Sequence, residues 1–380
     1  MHIAIFSDSY LPYTSGVVRS IVTFSKELRA LGHKVSIFAP SYGNKQQEKD
    51  VYRFLSFRAP TFKEFALAIP LAPSLSNKLK QIGVDIIHVH SPFMMGRLGA
   101  RCARKLQIPL VSTYHTLYEE YAHYSPLAPS LVRKAVRYYT VSFSNRCQLV
   151  ITPTDSIVNY LRKNGVTAPI TAIPTGIELD RFNNADPTWL RKRLNLPPGE
   201  IVLIHVGRLG KEKNITFVLQ AFARVHQLVA NTRLLLVGGG PLRASLESQA
   251  ESLGIKDAVT FAGSFSFAEM PAVYAGADLF VFASVTETQG LVVAEAKAAG
   301  LPVVVVKAYG VQEMVNDGED GFLTPLDQNL FTEAILRLVN DASLRQQMGR
   351  KAYRNVHSLS SQAMAKKLLS HYQALLKPIG

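Results

Sequence analysis

Two glutamates, Glu287 and Glu295, stand eight positions apart in the segment TETQGLVVAEAKAA. An apolar run precedes this segment, and the pattern after Gly290 predicts a helix that ends at Gly300. Both carboxylates therefore flank a helix N-terminus, whose unpaired N–H groups and partial positive charge suit a diphosphate. Carboxylates at these positions can accept paired hydrogen bonds from vicinal hydroxyls, Glu295 from a ribose and Glu287 from a second sugar. Gly290 has no Cβ, so a phosphate can approach the backbone there.

Two cations, Arg208 and Lys213, follow the apolar run Ile201–Val206. Cleavage next to a diphosphate leaves negative charge on the departing group, and fixed cations stabilise such charge. A divalent metal often has this role through an Asp-x-Asp motif, but the sequence contains no Asp-x-Asp. Most Lys and Arg side chains are simply exposed. The position of this pair directly after a predicted strand instead indicates a diphosphate site without a metal.

Three histidines stand at predicted strand ends: His88 and His90 in HVHSP, and His115 in TYHT. Alternate residues of a strand share a face, so the His-x-His pair could hold a metal. No third ligand is evident, and we expect His88 and His90 to cap the strand and hydrogen-bond to neighbouring loops instead. The acidic residues near the same strand ends, Asp8, Glu119 and Glu120, do not have the setting of a carboxylate nucleophile.

The elements that would position these residues alternate between strands and helices, and the series occurs twice. In the first half a helix is predicted at 15–31, and strands at 2–7, 34–38, 85–90, 110–114 and 149–152. In the second half a helix is predicted at 216–229, and strands at 201–206, 233–237, 259–261, 279–283 and 302–306. This alternation predicts two doubly wound parallel sheets of the α/β class, with ligands at the carboxyl ends of the strands.

The two series define two predicted domains, residues 1–175 and 176–357, connected through the Pro- and Gly-containing segment 173–199. Residues from about 344 to 376 form an amphipathic helical region. We expect its last part, about 358–380, to cross back onto the first domain. A chain of 380 residues is longer than one hydrophobic core usually supports, which also favours two domains.

The composition is that of a folded protein without a disulfide framework. Apolar residues make up 47% of the chain and charged residues 18%, which excludes disorder. The two cysteines, Cys102 and Cys147, indicate a reducing compartment, and MHIAIFSDSY is interpreted as a buried strand rather than a signal peptide. The net charge of +14 is uneven, because residues 1–180 carry 21 Lys and Arg against 11 Asp and Glu. This asymmetry fits either a polyanionic partner or merely a basic, soluble surface.

The longer segment TETQGLVVAEAKAAGLPVVV resembles the Glu-x7-Glu signature of glycosyltransferase family 4. Other segments resemble landmarks of that family in the same order: SYLPYTSG in the first half, and GRLGKEKN and GGGP in the second. The resemblance implies the GT-B fold, in which two Rossmann-like domains face a cleft. It also implies a nucleotide-sugar donor and retention of anomeric configuration by same-face substitution, in which the leaving diphosphate helps to deprotonate the acceptor hydroxyl.

The resemblance also assigns roles to individual residues. The residues implied in catalysis are Glu287, His115, Arg208 and Lys213. Those implied in substrate binding are Tyr13, Gly16, Arg208, Lys213, Gly239, Thr288, Gln289, Gly290, Leu291 and Glu295. His115 would lie against the donor sugar. The expected donor is uridine diphosphate glucose, and neither a metal nor another cofactor is implied.

Three stretches, PFMMG, TYHTLYEEYAHY and TETQGLV, resemble the subgroup of the family that glucosylates diacylglycerol at membranes. Residues 53–79 interleave apolar side chains with cations, which suits the surface of an anionic bilayer. We therefore expect a lipid acceptor and a peripheral position at the cytoplasmic face of the cell membrane, with the basic C-terminal helix on the same positive face. The other interpretation is that the aromatic residues of 53–79 belong to the core of the first domain.

Three alternative functions follow from the same features. A family member with a soluble sugar or other small acceptor would work without lipid. An epimerase or phosphorylase with this fold would use other residues, and no lysine for pyridoxal phosphate is identifiable. A nucleic-acid-binding role would rest on charge alone, since no nucleic-acid motif is present. The sequence does not determine the oligomeric state.

Overall fold

The computed structural model describes residues 1–43, 48–58, 65–120 and 128–377. The chain forms two compact units. The first comprises Met1–Gly176 with Ser361–Gly380, and the second comprises Ile177–Ser360. Each unit contains one open parallel sheet with helices between its strands.

The first unit begins with a strand, a helix and a second strand, and this alternation continues along the chain. Its strands are β1 (His2–Phe6), β2 (Lys34–Pro40), β3 (Val51–Phe54), β4 (Ser56–Arg58), β5 (Ala66–Ala68), β6 (Ile86–Val89), β7 (Leu110–Thr113), β8 (Leu149–Thr152) and β9 (Ile170–Ala172). Its helices before the second unit are α1 (Gly16–Ala30), α2 (Leu75–Gln81), α3 (Met94–Leu106), α4 (Pro129–Ser144) and α5 (Asp155–Lys163). The sheet order is β3-β2-β1-β6-β7-β8-β9, and β4 pairs antiparallel with β5 outside it.

Helix α1 shows how local sequence determines these elements. Its N-cap is Ser15, whose side chain accepts a hydrogen bond from the Val18 N–H at 3.3 Å. Ile21 and Leu28 are fully buried on one face, and Gly32 ends the helical segment with a φ of 84°. The helix predicted at 15–31 is thus confirmed within one residue at each end.

The second unit repeats the alternation. Its strands are β10 (Ile201–Val206), β11 (Thr232–Val237), β12 (Val259–Gly263), β13 (Leu279–Phe282), β14 (Val303–Val306) and β15 (Gly321–Thr324). Its helices are α6 (Trp189–Arg193), α7 (Ile215–Leu228), α8 (Arg243–Ser252), α9 (Met270–Ala275), α10 (Leu291–Ala298), α11 (Gln328–Asn340) and α12 (Ala342–Asn355). The strands form a six-stranded parallel sheet in the order β12-β11-β10-β13-β14-β15.

Apolar cores cover both faces of the second sheet. Alternate residues of β10 point to opposite faces, so that Leu203 belongs to one core cluster while Val202 and Ile204 belong to the other. Strands buried on both faces are continuous apolar runs, as in IVLIHV and VVVV. The sheet therefore holds the loops at its carboxyl edge on a rigid support.

The last helix, α13 (Ser361–Leu376), packs in the first unit, as expected from the sequence. Ala365, Leu368 and Tyr372 are buried in the core formed with β1 and α1. At the start of the helix, the Ser361 hydroxyl donates to the Glu27 carboxylate at 2.7 Å. The polypeptide thus returns to its first unit after completing the second.

The structure corrects three predictions about the elements. The edge strands β3, β9 and β15 were not predicted, because they are short and lie away from the central apolar runs. The segment 173–199 is not merely a linker, since it contains α6, whose Leu190 is fully buried in a core of the second unit. The helical region at 344–376 is two helices, because a 3-10 turn at Val356–Leu359 separates α12 from α13.

Candidate functional site

The predicted diphosphate site lies at the carboxyl edge of the second sheet. Strand β13 ends at Phe282, and α10 begins at Leu291, with Gly290 as its N-cap. Gly290 has a φ of 85°, a left-handed conformation that favours glycine, so the backbone itself requires this residue. Glu287 precedes the helix and Glu295 lies in its second turn, and the two glutamates flank the helix N-terminus in the predicted order.

Lys213 and Glu287, both predicted from the sequence, form an ion pair between the Lys213 Nζ and the Glu287 Oε1. Both side chains are about four-fifths buried, and Lys213 Nζ also lies 5.8 Å from the centre of the Phe282 ring. The Ser284 hydroxyl, which donates to the Glu212 carbonyl, lies 3.4 Å from the same Glu287 oxygen. The site thus holds a cation and a carboxylate together next to the N-terminus of α10.

The loop between the two glutamates is fixed by close packing. The side chains of Thr288 and Gln289 are buried. Gly310 approaches so closely that a Cβ at this position would lie 1.9 Å from the Thr288 carbonyl oxygen. The Gly310 N–H also donates to the Glu287 carbonyl at 3.0 Å. Glycine is therefore required at 310 to hold the loop that carries Glu287.

Glu295 is buried, and its Oε2 accepts a hydrogen bond from the Tyr274 hydroxyl at 2.9 Å. Tyr274 is itself fully buried, on α9. The carboxylate predicted to bind a ribose is thus anchored by a tyrosine 21 residues earlier in the chain.

The other predicted residues of the second unit follow the ends of β10 and β11. Arg208 is half-buried directly after β10, and Gly239 is exposed after β11. The two loops are joined because the Leu209 N–H donates to the Gly239 carbonyl at 2.9 Å. Arg208, Lys213, Gly239 and Glu287 therefore all belong to loops at one edge of one sheet.

The predicted residues of the first unit lie around the start of α1 and the end of β7. Gly16 is exposed as the first residue of α1, and Tyr13 is half-buried with its ring 5.6 Å from the Phe65 ring. His115 stands two residues after β7 and is half-buried. The N-terminus of α1 is thus a second helix N-terminus at the carboxyl edge of a parallel sheet.

The three histidines form a connected cluster in the first unit, with both ring nitrogens of His88 bonded. One nitrogen of His88 lies 2.6 Å from the Tyr372 hydroxyl, and the other lies 2.7 Å from the Thr113 hydroxyl. The His90 Nδ1 lies 2.8 Å from the His115 Nε2. The sequence had predicted bonds from His88 and His90 to loops. The prediction holds for His90, because His115 lies in the loop after β7, whereas His88 bonds to a strand residue and to a helix residue.

Burial keeps this cluster uncharged. It lowers the pKa of His88 and that of His115 to about 3, and it lowers the pKa of His90 well below its usual range. Neighbouring histidines add to the effect on His88 and His90, since one imidazolium would repel the next. The Nε2 of His90 is buried without a hydrogen-bond partner among the described residues.

The acidic residues at the same edge have structural partners. Asp8 is buried and accepts hydrogen bonds from the Ser91 hydroxyl at 2.5 Å and the Met95 N–H at 2.9 Å, at the start of α3. Glu119 is buried, with the Tyr114 hydroxyl 3.3 Å away. Burial raises the pKa of both carboxyl groups. Asp8 therefore acts as a cap for α3.

The surface of the first unit exposes apolar side chains beside cations. In the segment 53–79, Leu55, Phe57 and Leu71 are exposed, whereas Ala66 and Ala68 are buried; its residues 59–64 lie outside the described residues. Helix α4 exposes Leu131 and Tyr138, and this helix was not singled out from the sequence. None of the helices in the described ranges combines the length and apolarity needed to cross a bilayer.

Sequence reasoning missed three residues that support the site: Tyr274, Ser284 and Gly310. Tyr274 and Gly310 lie far from the Glu-x7-Glu segment in the chain, and no spacing rule connects them to it. Ser284 stands three residues before Glu287 and could have been included from its place after β13. For α4 a usable signal existed, because RKAVRYY interleaves cations with aromatic residues.

Comparisons with known proteins agree with this architecture. The model of "Glycosyltransferase Family 4" matches residues 14–181, and that of "Glycosyl transferases group 1" matches residues 188–355. The chain is 33% identical to an alpha-monoglucosyldiacylglycerol synthase of Acholeplasma laidlawii, over 88% of this chain and 87% of the relative. It is 35% identical to the enzyme of the same name from Streptococcus pneumoniae, over 85% and 75%.

Solved structures show the same fold. Anabaena HepE superposes with a TM-score of 0.81 at 21% identity, over 98% of this chain and 100% of that one. The sucrose-phosphate synthase of Thermosynechococcus elongatus superposes with a TM-score of 0.78 at 22% identity, over 98% of each chain. Two Rossmann-like parallel sheets, with polar clusters at their carboxyl edges, together with these matches define a GT-B glycosyltransferase. The chain belongs to glycosyltransferase family 4, and the family predicted from the Glu-x7-Glu segment is confirmed.

Proposed function

We propose that this protein transfers glucose from uridine diphosphate glucose to diacylglycerol at an anionic membrane surface, with retention of configuration. The observation that carries the proposal is the pairing of Lys213 with Glu287 beside the N-terminus of α10. The two relatives named as alpha-monoglucosyldiacylglycerol synthases support the choice of sugar and acceptor.

A nucleotide sugar contains an anionic diphosphate and a sugar with hydroxyl groups. The pair offers a cation to the diphosphate and a carboxylate to the sugar. The α10 N-terminus and Lys213 suit the oxygens of a diphosphate, and Glu287 suits the hydroxyls of the attached sugar. Arg208, in the loop after β10, adds a second cation for the diphosphate. Glu295, whose buried carboxylate is anchored by the Tyr274 hydroxyl, suits a ribose. The contact of His115 with the donor sugar stays a prediction from the family resemblance.

In the proposed reaction the bond between the anomeric carbon and the diphosphate oxygen breaks, and the acceptor oxygen bonds to that carbon on the same face. The acceptor proton passes to the departing diphosphate. Lys213, Arg208 and the α10 N-terminus stabilise the charge that develops, so the reaction needs no metal and no cofactor. A double displacement would need a carboxylate nucleophile, and Asp8 is already engaged in capping α3.

The choice of donor is supported by proteins of the same fold and is open to test. HepE has been crystallised in complex with UDP-glucose. Relatives at 29% identity include a GDP-mannose-dependent alpha-mannosyltransferase of Corynebacterium glutamicum. Guanosine diphosphate mannose is therefore the competing donor in the assay.

The lipid acceptor and the membrane surface are supported by the surface of the first unit. Leu131 and Tyr138 stand seven positions apart on α4, which places them on one face of the helix. They are 68% and 79% exposed. Exposed cations at positions 133, 134 and 137 lie beside them. Apolar side chains next to cations suit the interface of an anionic bilayer at the inner face of the cell membrane.

The first experiment crosses donors with acceptors. Radiolabelled UDP-glucose or GDP-mannose is incubated with the protein and with diacylglycerol in phosphatidylglycerol vesicles, diacylglycerol in phosphatidylcholine vesicles, or soluble sugars and L-malate. We expect label from UDP-glucose in the lipid extract, highest with phosphatidylglycerol, and an α-anomeric signal by NMR. Transfer to a soluble acceptor with none to lipid would contradict the acceptor, and a β-linked product would contradict retention.

The second experiment tests the membrane surface with matched variants. Leu131→Ser with Tyr138→Ser removes the exposed apolar pair of α4. The control, Leu228→Ser with Leu326→Ser, removes two leucines of the second unit that are 70% and 57% exposed. We expect the α4 variant to lose about tenfold or more of its binding to phosphatidylglycerol vesicles, since each apolar side chain contributes to partitioning. Equal binding by both variants would exclude α4 from the membrane surface.

A further inference from the structure

A cavity of about 820 Å³ opens on the first unit between α3 and α4, near the residues that precede β7 and β8. Four arginines line it: Arg97, Arg101 and Arg104 from α3, and Arg146 just after α4. No carboxylate stands among the described residues that line the cavity. Volumes of this size are typical of sites for small ligands.

The helix geometry points three of these arginines in one direction. Arg97, Arg101 and Arg104 follow the spacing i, i+4 and i+7, which places them on one face of α3. The opposite face of the helix is packed inward, where Met95, Gly99 and Cys102 are buried. The cations therefore cannot turn inward without unpacking the helix.

The other wall of the cavity comes from α4. The Tyr139 hydroxyl donates to the Pro92 carbonyl at 2.5 Å, which fixes this ring beside the cavity. Burial raises the pKa of Tyr139, the charges of Arg97 and Arg146 oppose that rise, and the Asp8 carboxylate adds to it. Arg97 from α3 and Arg146 after α4 line the cavity together with this ring.

Helix dipoles explain the positions of only two of these four arginines. Cations are favourable near helix C-termini, which accounts for Arg104 in the last turn of α3 and for Arg146 after α4. Arg97 stands near the positive end of α3, and Arg101 stands in the middle. Within the described part of the chain, none of the four has a carboxylate within 4.0 Å, whereas Arg191 and Arg233 have close carboxylate partners.

We propose that this cavity binds a phosphate-bearing anion, at a site made without any residue of the donor site. Guanidinium groups bind phosphate oxygens in pairs, and several converging cations favour a doubly charged or polyphosphate group. The buried Phe143 and the alanines of α3 give the same cavity an apolar lining. The phosphate can belong to a soluble anion or to a phospholipid headgroup.

The soluble arm of the test measures inorganic pyrophosphate binding by calorimetry, with excess UDP present to occupy the donor site. The variant is Arg97→Gln with Arg101→Gln. The control, Lys34→Gln with Lys163→Gln, removes the same charge from exposed cations of the same unit. We expect the variant Arg97→Gln with Arg101→Gln to bind pyrophosphate at least about tenfold more weakly than the control, since charge-assisted hydrogen bonds are lost.

The lipid arm repeats the comparison by co-sedimentation with phosphatidylglycerol vesicles without diacylglycerol. If the arginine variant binds less well only to the vesicles, the phosphate belongs to a lipid headgroup. If it binds less well only to pyrophosphate, the phosphate belongs to a free anion. Equal binding by variant and control in both arms, with the same thermal unfolding midpoint, overturns the proposal. Neither arm measures sugar transfer, so failure of the proposed glucosyltransferase activity would be seen separately.

Discussion

The carboxyl edges of the two sheets carry polar clusters of opposite character. In the first unit three histidines are held neutral by burial, and their hydrogen bonds run to one another, to Thr113 and to Tyr372. In the second unit Lys213 and Glu287 face each other as ions, about one-fifth exposed. The same fold position thus supports an uncharged network in one unit and a charged pair in the other.

The difference follows from what each cluster is bonded to. The histidine network is joined to α13, the helix that returns to the first unit, so it contributes to the stability of that unit. The charged pair is held by loops whose packing depends on Gly310 and Ser284, and its charges remain available to a ligand. Changes in the histidine network should therefore alter mainly stability, and changes in the charged pair should alter mainly turnover.

The largest effect is expected for Lys213→Met. Removing a cation that stabilises the departing diphosphate should lower kcat by about 100-fold or more, with the unfolding midpoint nearly unchanged. Steady-state kinetics with UDP-glucose measure this. Lys211→Met, at an exposed lysine two positions earlier, is the control and should keep near-normal turnover. Equal kcat values for the two variants would contradict the assignment of Lys213 to the diphosphate site.

The next effect concerns pH. Since the pKa of His88 is about 3 in the folded protein, the unfolded chain takes up more protons below about pH 6.5, and stability falls as the pH falls from there. Between about pH 6.5 and pH 5 the loss is on the order of 2 kcal/mol for this histidine. In urea unfolding, the free energy of unfolding of His88→Gln should fall less steeply with falling pH than that of the wild type.

The control for this pH dependence is His357→Gln, at an exposed histidine of the second unit. It should unfold with the same pH dependence as the wild type, because this position lies outside the histidine network. If His88→Gln also retained the wild-type slope, the histidine network would not be the source of the acid sensitivity.

A smaller effect is expected for Glu295→Gln. The amide can still accept a hydrogen bond from the Tyr274 hydroxyl, so the fold should be kept, but it binds ribose hydroxyls less well than a carboxylate does. The KM for the donor should rise about tenfold with little change in kcat. Glu247→Gln, on the exposed face of α8, is the matched control. An unchanged KM would contradict the ribose assignment.

The smallest effect is expected for Tyr372→Phe, which removes the hydroxyl beside His88. An unsatisfied buried nitrogen should lower the free energy of unfolding by about 1 kcal/mol, and turnover should stay the same. Tyr353→Phe, at an exposed tyrosine bonded to Asn183, should change stability less. A clear loss of turnover in Tyr372→Phe alone would show that the histidine network also serves the reaction.

Much of the fold could be predicted because the central strands are apolar runs with helix signals between them. The strand at 149–152 and the strand at 201–206 were predicted with their observed bounds. The edge strands β3, β9 and β15 were missed, since an edge strand is stabilised by one neighbour and needs no long apolar run, whereas the edge strand β12 was predicted at 259–261. The break between α12 and α13 was missed because the 3-10 turn Val356–Leu359 contains neither Gly nor Pro to mark a helix end.

The sequence by itself determined the two α/β series, the family, and the residue types of the donor segment, because strand, helix and turn preferences are local. Only the tertiary structure decided which side chains meet. Lys213 and Glu287 are 74 positions apart, and His88 and Tyr372 are 284 apart. Parallel strands bring the loops at their carboxyl ends to one edge, whatever their separation along the chain. Partners across that edge are chosen by packing and burial, which no local pattern specifies.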